Sequence, residues 1–66
     1  MKFNELDCVR TLRNFPEYGI AKGETGVIII AFNKPNEAYE VEFEDGSGRP
    51  KATFPILPED LELFWN

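Results

Sequence analysis

Paired carboxylates are the chemistry-bearing groups that this chain has in quantity. Glu40, Glu42 and Glu44 alternate with apolar residues, so in a strand their side chains would share one face, about 7 Å apart. Acid–base chemistry by two carboxylates needs surroundings that push their pKa values apart. The flanking residues predict no cleft that would desolvate these groups. We therefore interpret the three glutamates as the solvent-facing side of a strand.

Other catalytic groups are scarce. The chain has no histidine and a single cysteine, which excludes histidine-based triads, zinc sites with Cys/His spacing and an intrachain disulfide. Cys8 has no histidine to activate it as a nucleophile. The segment Lys22–Gly26 lacks the order of residues of a phosphate-binding loop, and Glu44 with Asp45 lacks the longer ligand loop of a calcium site. We expect no enzymatic activity, no cofactor and no metal site.

Charge is distributed unevenly along the 66 residues. The net charge of −5 combines +1 over residues 1–36 with −6 over residues 37–66. A phosphate backbone is bound by lysine and arginine side chains. Because the chain is acidic, nucleic acid and anionic membranes are not expected as partners. The acidic half either keeps the protein soluble or forms a face that meets a basic partner. The lone Cys8 fits a reducing cytoplasm.

Five segments have the composition of strands. Val27–Phe32 is apolar at every position, which predicts a central strand covered on both faces. Ala38–Glu44 alternates, with Tyr39 and Phe43 on the apolar side, and predicts a strand with one solvent face. The remaining strands are predicted over Leu6–Leu12, Lys51–Phe54 and Leu61–Trp65.

The connecting segments are rich in glycine and proline. Met1–Glu5 is interpreted as a short leader, and Arg13–Gly26 as a long structured loop in which Gly23 and Gly26 supply positive φ or close backbone approach. Because two prolines lack ladder donors, residues 55–60 are not expected to form a regular strand. Pro58–Asp60 instead predicts one 3₁₀ turn before the last strand.

This order of elements predicts an all-β fold. About five antiparallel strands, a long first loop and a 3₁₀ turn before the last strand are the layout of an SH3-like small barrel, formed by residues 1–66 as one domain. Closing the strands into a barrel would limit exposure of the core. An OB-like barrel is the alternative, but it needs a helix for which the chain has no room.

Several segments carry a family resemblance. The chain from Leu6 to about Leu63 resembles a family of short bacterial proteins described as domain of unknown function 4926. The resemblance lies in turn and core positions; it implies an SH3-like barrel and a binding or antitoxin-like role. Gly23–Val27 is also similar to the start of KOW-type domains, which bind RNA or ribosomal protein. The segments that carry the first resemblance are Leu6–Val9, Phe15–Ile20, Lys22–Ile28, Ala38–Phe43 and Leu57–Leu61.

Aromatic residues are numerous for so small a core, with six Phe, two Tyr and one Trp. Phe15 and Tyr18 lie in the long loop beside Pro16, where an SH3-like barrel borders its peptide groove. Such rings are common at interaction sites, although they could instead pin the loop onto its own barrel. Phe32 and Phe54 are expected to pack in the core or at its edge, and Trp65 caps the barrel or contacts a partner.

The expected function is that of a non-enzymatic protein-interaction module. Its partner would be a small protein encoded nearby, in an antitoxin-like or regulatory role. The alternative is a KOW-like accessory domain of a nucleoprotein complex. The predicted partner-binding residues are Phe15, Tyr18, Pro35 and Pro58, with Glu40 and Glu42 as a second surface.

Overall fold

The computed structural model describes residues 1–65 and contains five strands and two 3₁₀ turns, which confirms the all-β prediction. No helix in this range is long and apolar enough to cross a membrane. The strands are β1 (Cys8–Thr11), β2 (Thr25–Phe32), β3 (Ala38–Glu44), β4 (Pro50–Ile56) and β5 (Leu61–Trp65), and the 3₁₀ turns are Pro16–Tyr18 and Pro58–Asp60.

The strands form one antiparallel sheet in the order β4-β3-β2-β1-β5. The number of strands and the 3₁₀ turn before β5 agree with the sequence-based prediction. The sheet is open, because the edge strands β4 and β5 form no ladder with each other in residues 1–65. Closure of the core therefore depends on other segments of the chain.

The core lies on one side of the sheet and receives side chains from all five strands. Tyr39 and Phe43 are both buried there, as predicted. In β1 the structure buries Val9, while Cys8 stays half-buried. The cluster consists of Phe3, Val9, Phe15, Ile20, Ile28, Tyr39, Val41, Phe43, Phe54, Ile56 and Leu61.

The prediction that both faces of β2 are covered is wrong. The register with β3 shifts between Ile28 and Ile30, so Ile29 is the extra residue of a β-bulge. Ile28 is buried, whereas Ile30 is 42% and Phe32 is 37% exposed. The described residues form a single sheet with one core, so nothing covers the second face of this strand.

The boundaries of three strands differ from the prediction, and β2 begins at Thr25 instead of Val27. β1 is shorter, because Leu6 adopts a positive φ of 74° and is exposed. β4 is longer and continues through Pro55 to Ile56, although proline was expected to end it. Since β4 is an edge strand, one side of its backbone has no neighbouring strand, and a residue without an N–H is tolerated there.

The amino-terminal segment, interpreted from the sequence as a short leader, contributes a side chain to the core. Phe3 is buried, with its ring centroid 5.3 Å from that of Tyr39 in an edge-on arrangement. The Phe3 N–H donates to the Tyr39 hydroxyl at 3.0 Å. That hydroxyl donates in turn to the Glu37 carboxylate, which also accepts the Lys2 backbone N–H at 2.9 Å. These bonds hold the segment over one opening of the core.

The network shifts the pKa of both titratable members. Burial and then the bond to Glu37 raise the pKa of Tyr39 above its ordinary value of 10.0. The Tyr39 hydroxyl and then the Lys2 N–H lower the pKa of Glu37 below its ordinary value of 4.5. Because the folded state holds the Tyr39 proton more tightly than the unfolded state, stability is present below pH 10 and is lost as pH rises through the folded pKa.

Tyr39→Phe tests this network. At pH 7 we expect a loss of about 1–3 kcal/mol in the free energy of unfolding, because the buried Phe3 N–H loses its acceptor. Above pH 10 the wild type should lose stability more steeply than the variant, since Phe cannot ionise. Urea unfolding between pH 7 and pH 11 measures both effects, with Tyr18→Phe as the exposed control. Equal alkaline slopes for wild type and Tyr39→Phe would contradict the assignment.

Gly26 lets β2 pass close to β3. A Cβ atom at this position would lie 2.7 Å from Val41 Cγ1 and 2.8 Å from the Glu42 carbonyl oxygen, closer than real Cβ contacts. The Glu42 oxygen belongs to the backbone and cannot move without disturbing the sheet. The expectation of a close backbone approach here is confirmed, and Gly23 has the positive φ, at 93°.

Gly26→Ala should destabilise the protein by about 1–3 kcal/mol, because the added methyl group overpacks the contact between two strands. Gly46→Ala is the matched control, since a Cβ there meets nothing within 4 Å. Thermal and urea unfolding of both variants measure the difference. Similar stabilities would mean that the sheet accommodates the methyl group.

Candidate interaction surface

The first loop is folded tightly onto the core. Pro16 begins its 3₁₀ turn, and Gly19 ends it with a φ of 71°. Phe15 and Ile20 then form a bridge in which the Phe15 N–H donates to the Ile20 carbonyl at 2.7 Å and the reverse bond is 3.1 Å. Both side chains are thereby directed inward.

The end of the loop is anchored by a buried hydroxyl. Thr11 Oγ1 donates to the Ala21 carbonyl at 3.1 Å and accepts the Gly23 N–H at 3.1 Å. The Glu24 carboxylate accepts the Ala21 N–H at 2.7 Å, and this bond is the main cause of its lowered pKa. The loop is therefore part of the scaffold along its whole length.

Two aromatic rings of the loop, those of Phe15 and Tyr18, pack against Phe54 of β4. Phe15 lies 5.2 Å from it between centroids, and Tyr18 stacks on it at 3.8 Å with an interplanar angle of 5°. Phe15 is only 4% exposed, and the Arg13 guanidinium lies 4.0 Å from its ring centroid. Phe15 is thus a core residue whose ring cannot reach a partner. Tyr18, 45% exposed, keeps one ring face open.

The other residues predicted to flank this loop come from separate segments. Pro35 is exposed in the loop between β2 and β3. Pro58 is half-buried at the start of the second 3₁₀ turn. That turn is tied to the first loop, because the Leu12 N–H donates to the Asp60 carbonyl at 2.8 Å and Arg13 pairs with the Asp60 carboxylate at 3.2 Å. Of the four predicted residues, Tyr18 and Pro35 are exposed, Pro58 is half-buried and Phe15 is buried.

Glu40 and Glu42, the second predicted surface, lie on the side of the sheet that faces away from the core. The register places Glu40 beside Ile30 and Glu42 beside Val27. Both glutamates are half-buried, because apolar side chains flank them. We call this side the outer face; its residues include Cys8, Arg10, Thr25, Val27, Ile30, Phe32, Glu40, Glu42, Glu44, Glu62, Phe64 and Trp65.

A groove with a volume of about 400 Å³ crosses the outer face. The register aligns Glu42 on β3, Val27 on β2, Cys8 on β1 and Trp65 on β5 in one row across four strands. Val27 and Cys8 form an uncharged floor between a carboxylate and an aromatic ring. The groove is lined by Cys8, Thr25, Gly26, Val27, Glu42, Glu44, Phe64 and Trp65.

Three carboxylates of this face have no basic partner in the described residues, whereas Glu62 on the same face is paired with Arg10. Glu40, Glu42 and Glu44 take part in no ion pair in residues 1–65, where the three ion pairs join Arg10 to Glu62, Arg13 to Asp60 and Lys51 to Glu24. The outer face therefore combines exposed apolar side chains with negative charge.

The basic residues do not gather into one patch. Arg10 and Arg13 each contact a carboxylate. Lys22 precedes β2 and Lys34 follows it, so these two residues are separated by an eight-residue strand, a backbone length of about 25 Å. Within residues 1–65, no three histidine, cysteine or acidic side chains are placed to share a metal ion.

Sequence reasoning missed most of the apolar part of the outer face. Ile30 and Phe32 were assigned to a covered strand, and Trp65 was left undecided. The run Leu63-Phe64-Trp65 carried a signal, because three consecutive apolar residues break the alternation of a half-buried strand. The register of β5 with β1 is irregular in this region, and Trp65 is 71% exposed.

Comparison with known proteins gives one result. A family model described as "Domain of unknown function (DUF4926)" matches residues 5–63, which is almost the whole chain. No curated protein and no solved structure matches the chain.

Phe15→Ala and Tyr18→Ala should separate the two rings of the loop. We expect the Phe15 variant to lose about 3–5 kcal/mol, because a buried ring leaves a cavity, and the Tyr18 variant to lose no more than about 1.5 kcal/mol of stacking. Thermal unfolding measures both, with Phe15→Leu as a milder variant should Phe15→Ala fail to fold. Equal losses would contradict the different burial of the two rings.

Proposed function

The chain belongs to the DUF4926 family, and we propose that it is a non-enzymatic protein-interaction module whose partner binds the outer face. We further propose that its strands have an SH3-like arrangement. The strand order β4-β3-β2-β1-β5, the long first loop and the 3₁₀ turn before β5 support that arrangement. The OB-like alternative lacks support, because the described residues contain no α-helix between strands.

The observation that carries the proposal is the exposure of large apolar side chains next to unpaired carboxylates. Ile30 and Phe32 on β2 and Trp65 on β5 stand on the same side of one sheet. Large apolar side chains exposed on one face of a sheet are candidates for an interaction site. Aromatic residues with a charged rim are also the composition of protein interfaces.

The loop surface around Tyr18 is the weaker candidate. One face of the Tyr18 ring is already stacked on Phe54, and the loop around it is bonded to the scaffold. It would contribute a single half-exposed ring to binding. The outer face offers more apolar area and a groove.

A KOW-like role in a nucleoprotein complex has less support than a protein partner. The fold itself requires the glycines that carry the similarity. Gly23 adopts a positive φ in a turn, and a side chain at Gly26 would clash with β3. Arg10 and Arg13 are paired with carboxylates, and Lys22 and Lys34 lie at opposite ends of β2. A phosphate backbone would find no basic stripe to follow. A small regulatory or antitoxin-like partner encoded nearby, in the cytoplasm, stays a prediction.

The double variant Ile30→Ser/Phe32→Ser tests the outer face. Because both side chains are exposed, we expect the fold to persist and the thermal midpoint to change by only a few degrees. The tag should be placed at the amino terminus, since Trp65 belongs to the proposed surface. Wild type should capture a specific protein from lysate of the source cells, and the double variant should lose it.

Tyr18→Ala is the matched control, because it also removes an exposed apolar side chain. It should keep the captured protein, identified by mass spectrometry. Loss with Tyr18→Ala and retention with the outer-face variant would transfer the interaction to the loop and overturn the proposal.

A further inference from the structure

The groove on the outer face has two unlike walls. The row from Glu42 through Val27 and Cys8 to Trp65 spans three strand spacings, which is about 14 Å between the outermost backbones. Glu42 and Glu44 supply carboxylates on one wall, and Phe64 and Trp65 supply rings on the other. Between them the floor carries no charge. Such a space fits a long side chain with an apolar stem and a cationic head.

Two arginines of this chain each contact both an aromatic ring and a carboxylate. Arg13 lies over the Phe15 ring and pairs with Asp60. Arg10 lies 5.5 Å from the Phe64 ring centroid and pairs with Glu62.

In both places a guanidinium is held between an aromatic ring and a carboxylate, a combination of cation–π and charge-assisted contacts. In the groove, the Phe64 ring is already contacted by Arg10, but Trp65 is 71% exposed. Glu42 and Glu44 have no basic partner in the part of the chain described.

We propose that the groove binds an arginine side chain from a cationic segment of the partner protein. This inference rests on the proposed function and names the chemistry of its ligand. The apolar stem of the arginine can lie on the floor beside Trp65 while its guanidinium donates to Glu42 and Glu44 at the opposite wall. A second copy of this chain does not fit, because it would bring its own Glu42 and Glu44 and a further charge of −5 against the same surface.

Trp65 makes the groove observable, since it is the only tryptophan in the chain. The probe is a blocked hexapeptide in which arginine and valine alternate, titrated against wild-type protein with tryptophan fluorescence as the readout. The matched peptide replaces arginine by citrulline, which keeps the shape and removes the charge. We expect saturable binding of the arginine peptide that weakens as salt is added, and at least about fivefold weaker binding of the citrulline peptide.

Protein variants locate the contact. Glu42→Gln/Glu44→Gln should weaken the arginine peptide at least about fivefold, whereas Glu59→Gln, an exposed acid in the second 3₁₀ turn, should leave its affinity unchanged. A lysine peptide that binds as tightly as the arginine peptide would overturn the assignment to arginine. Equal binding of the citrulline peptide, or an unaffected glutamine double variant, would overturn the site.

The outcome can be separated from that of the proposed function. If capture of the cellular partner depends on Ile30 and Phe32 but not on Glu42 and Glu44, the outer face binds protein and the arginine site is wrong. If capture is insensitive to Ile30 and Phe32 while the peptide still binds at Trp65, the arginine site stands and the wider apolar interface is wrong.

Discussion

A single five-stranded sheet can bury only one of its two faces when no second layer is present, and the rest of this structure follows from that constraint. The chain directs Val41, Phe43 and Phe54 to the inner face, where they share one core with residues from every strand. Strand side chains that do not point into the core then lie on the outer face. In this chain it carries apolar side chains together with carboxylates.

Because the sheet is open, non-strand segments complete the core. Phe3 closes one part through its contact with Tyr39, and the first loop inserts Phe15 and Ile20 into another. Hydrogen bonds hold the amino-terminal segment and the first loop in place. In the described residues, every buried side-chain donor or acceptor has a hydrogen-bond partner. Thr11 performs this task for the loop. Because the loop is bonded to the rest of the domain and its Phe15 ring is buried, the outer face is a better candidate for the binding surface than the loop.

The outer face is shaped by irregularities in the ladders. The extra residue at Ile29 changes the register of β2 against β3, and the register of β5 shifts where it meets Cys8. Bulges of this kind bend strands and re-aim side chains. Here they leave Phe64 and Trp65 opposite Glu42 across an uncharged floor. The result is a groove with acidic and aromatic walls on the outer face, while the inner face of the same sheet packs into an apolar core.

The sequence by itself determined the class of the fold, since the alternation of Ala38–Glu44, the apolar run of β2 and the Pro58–Asp60 turn each follow from local period and turn chemistry. It also identified the carboxylates Glu40 and Glu42 as outward-facing. Those features depend on neighbours in the chain, which a sequence displays directly.

Only the tertiary structure decided which apolar residues are buried. Phe15 in a loop and Phe3 near the amino terminus enter the core, whereas Ile30 and Phe32 in the most apolar strand remain exposed. Burial depends on what other segments cover a position, and a single sheet covers only one side of β2. The side chains of Phe15 and Phe32 are chemically identical, so the sequence pattern could not show which of them a distant part of the chain would enclose.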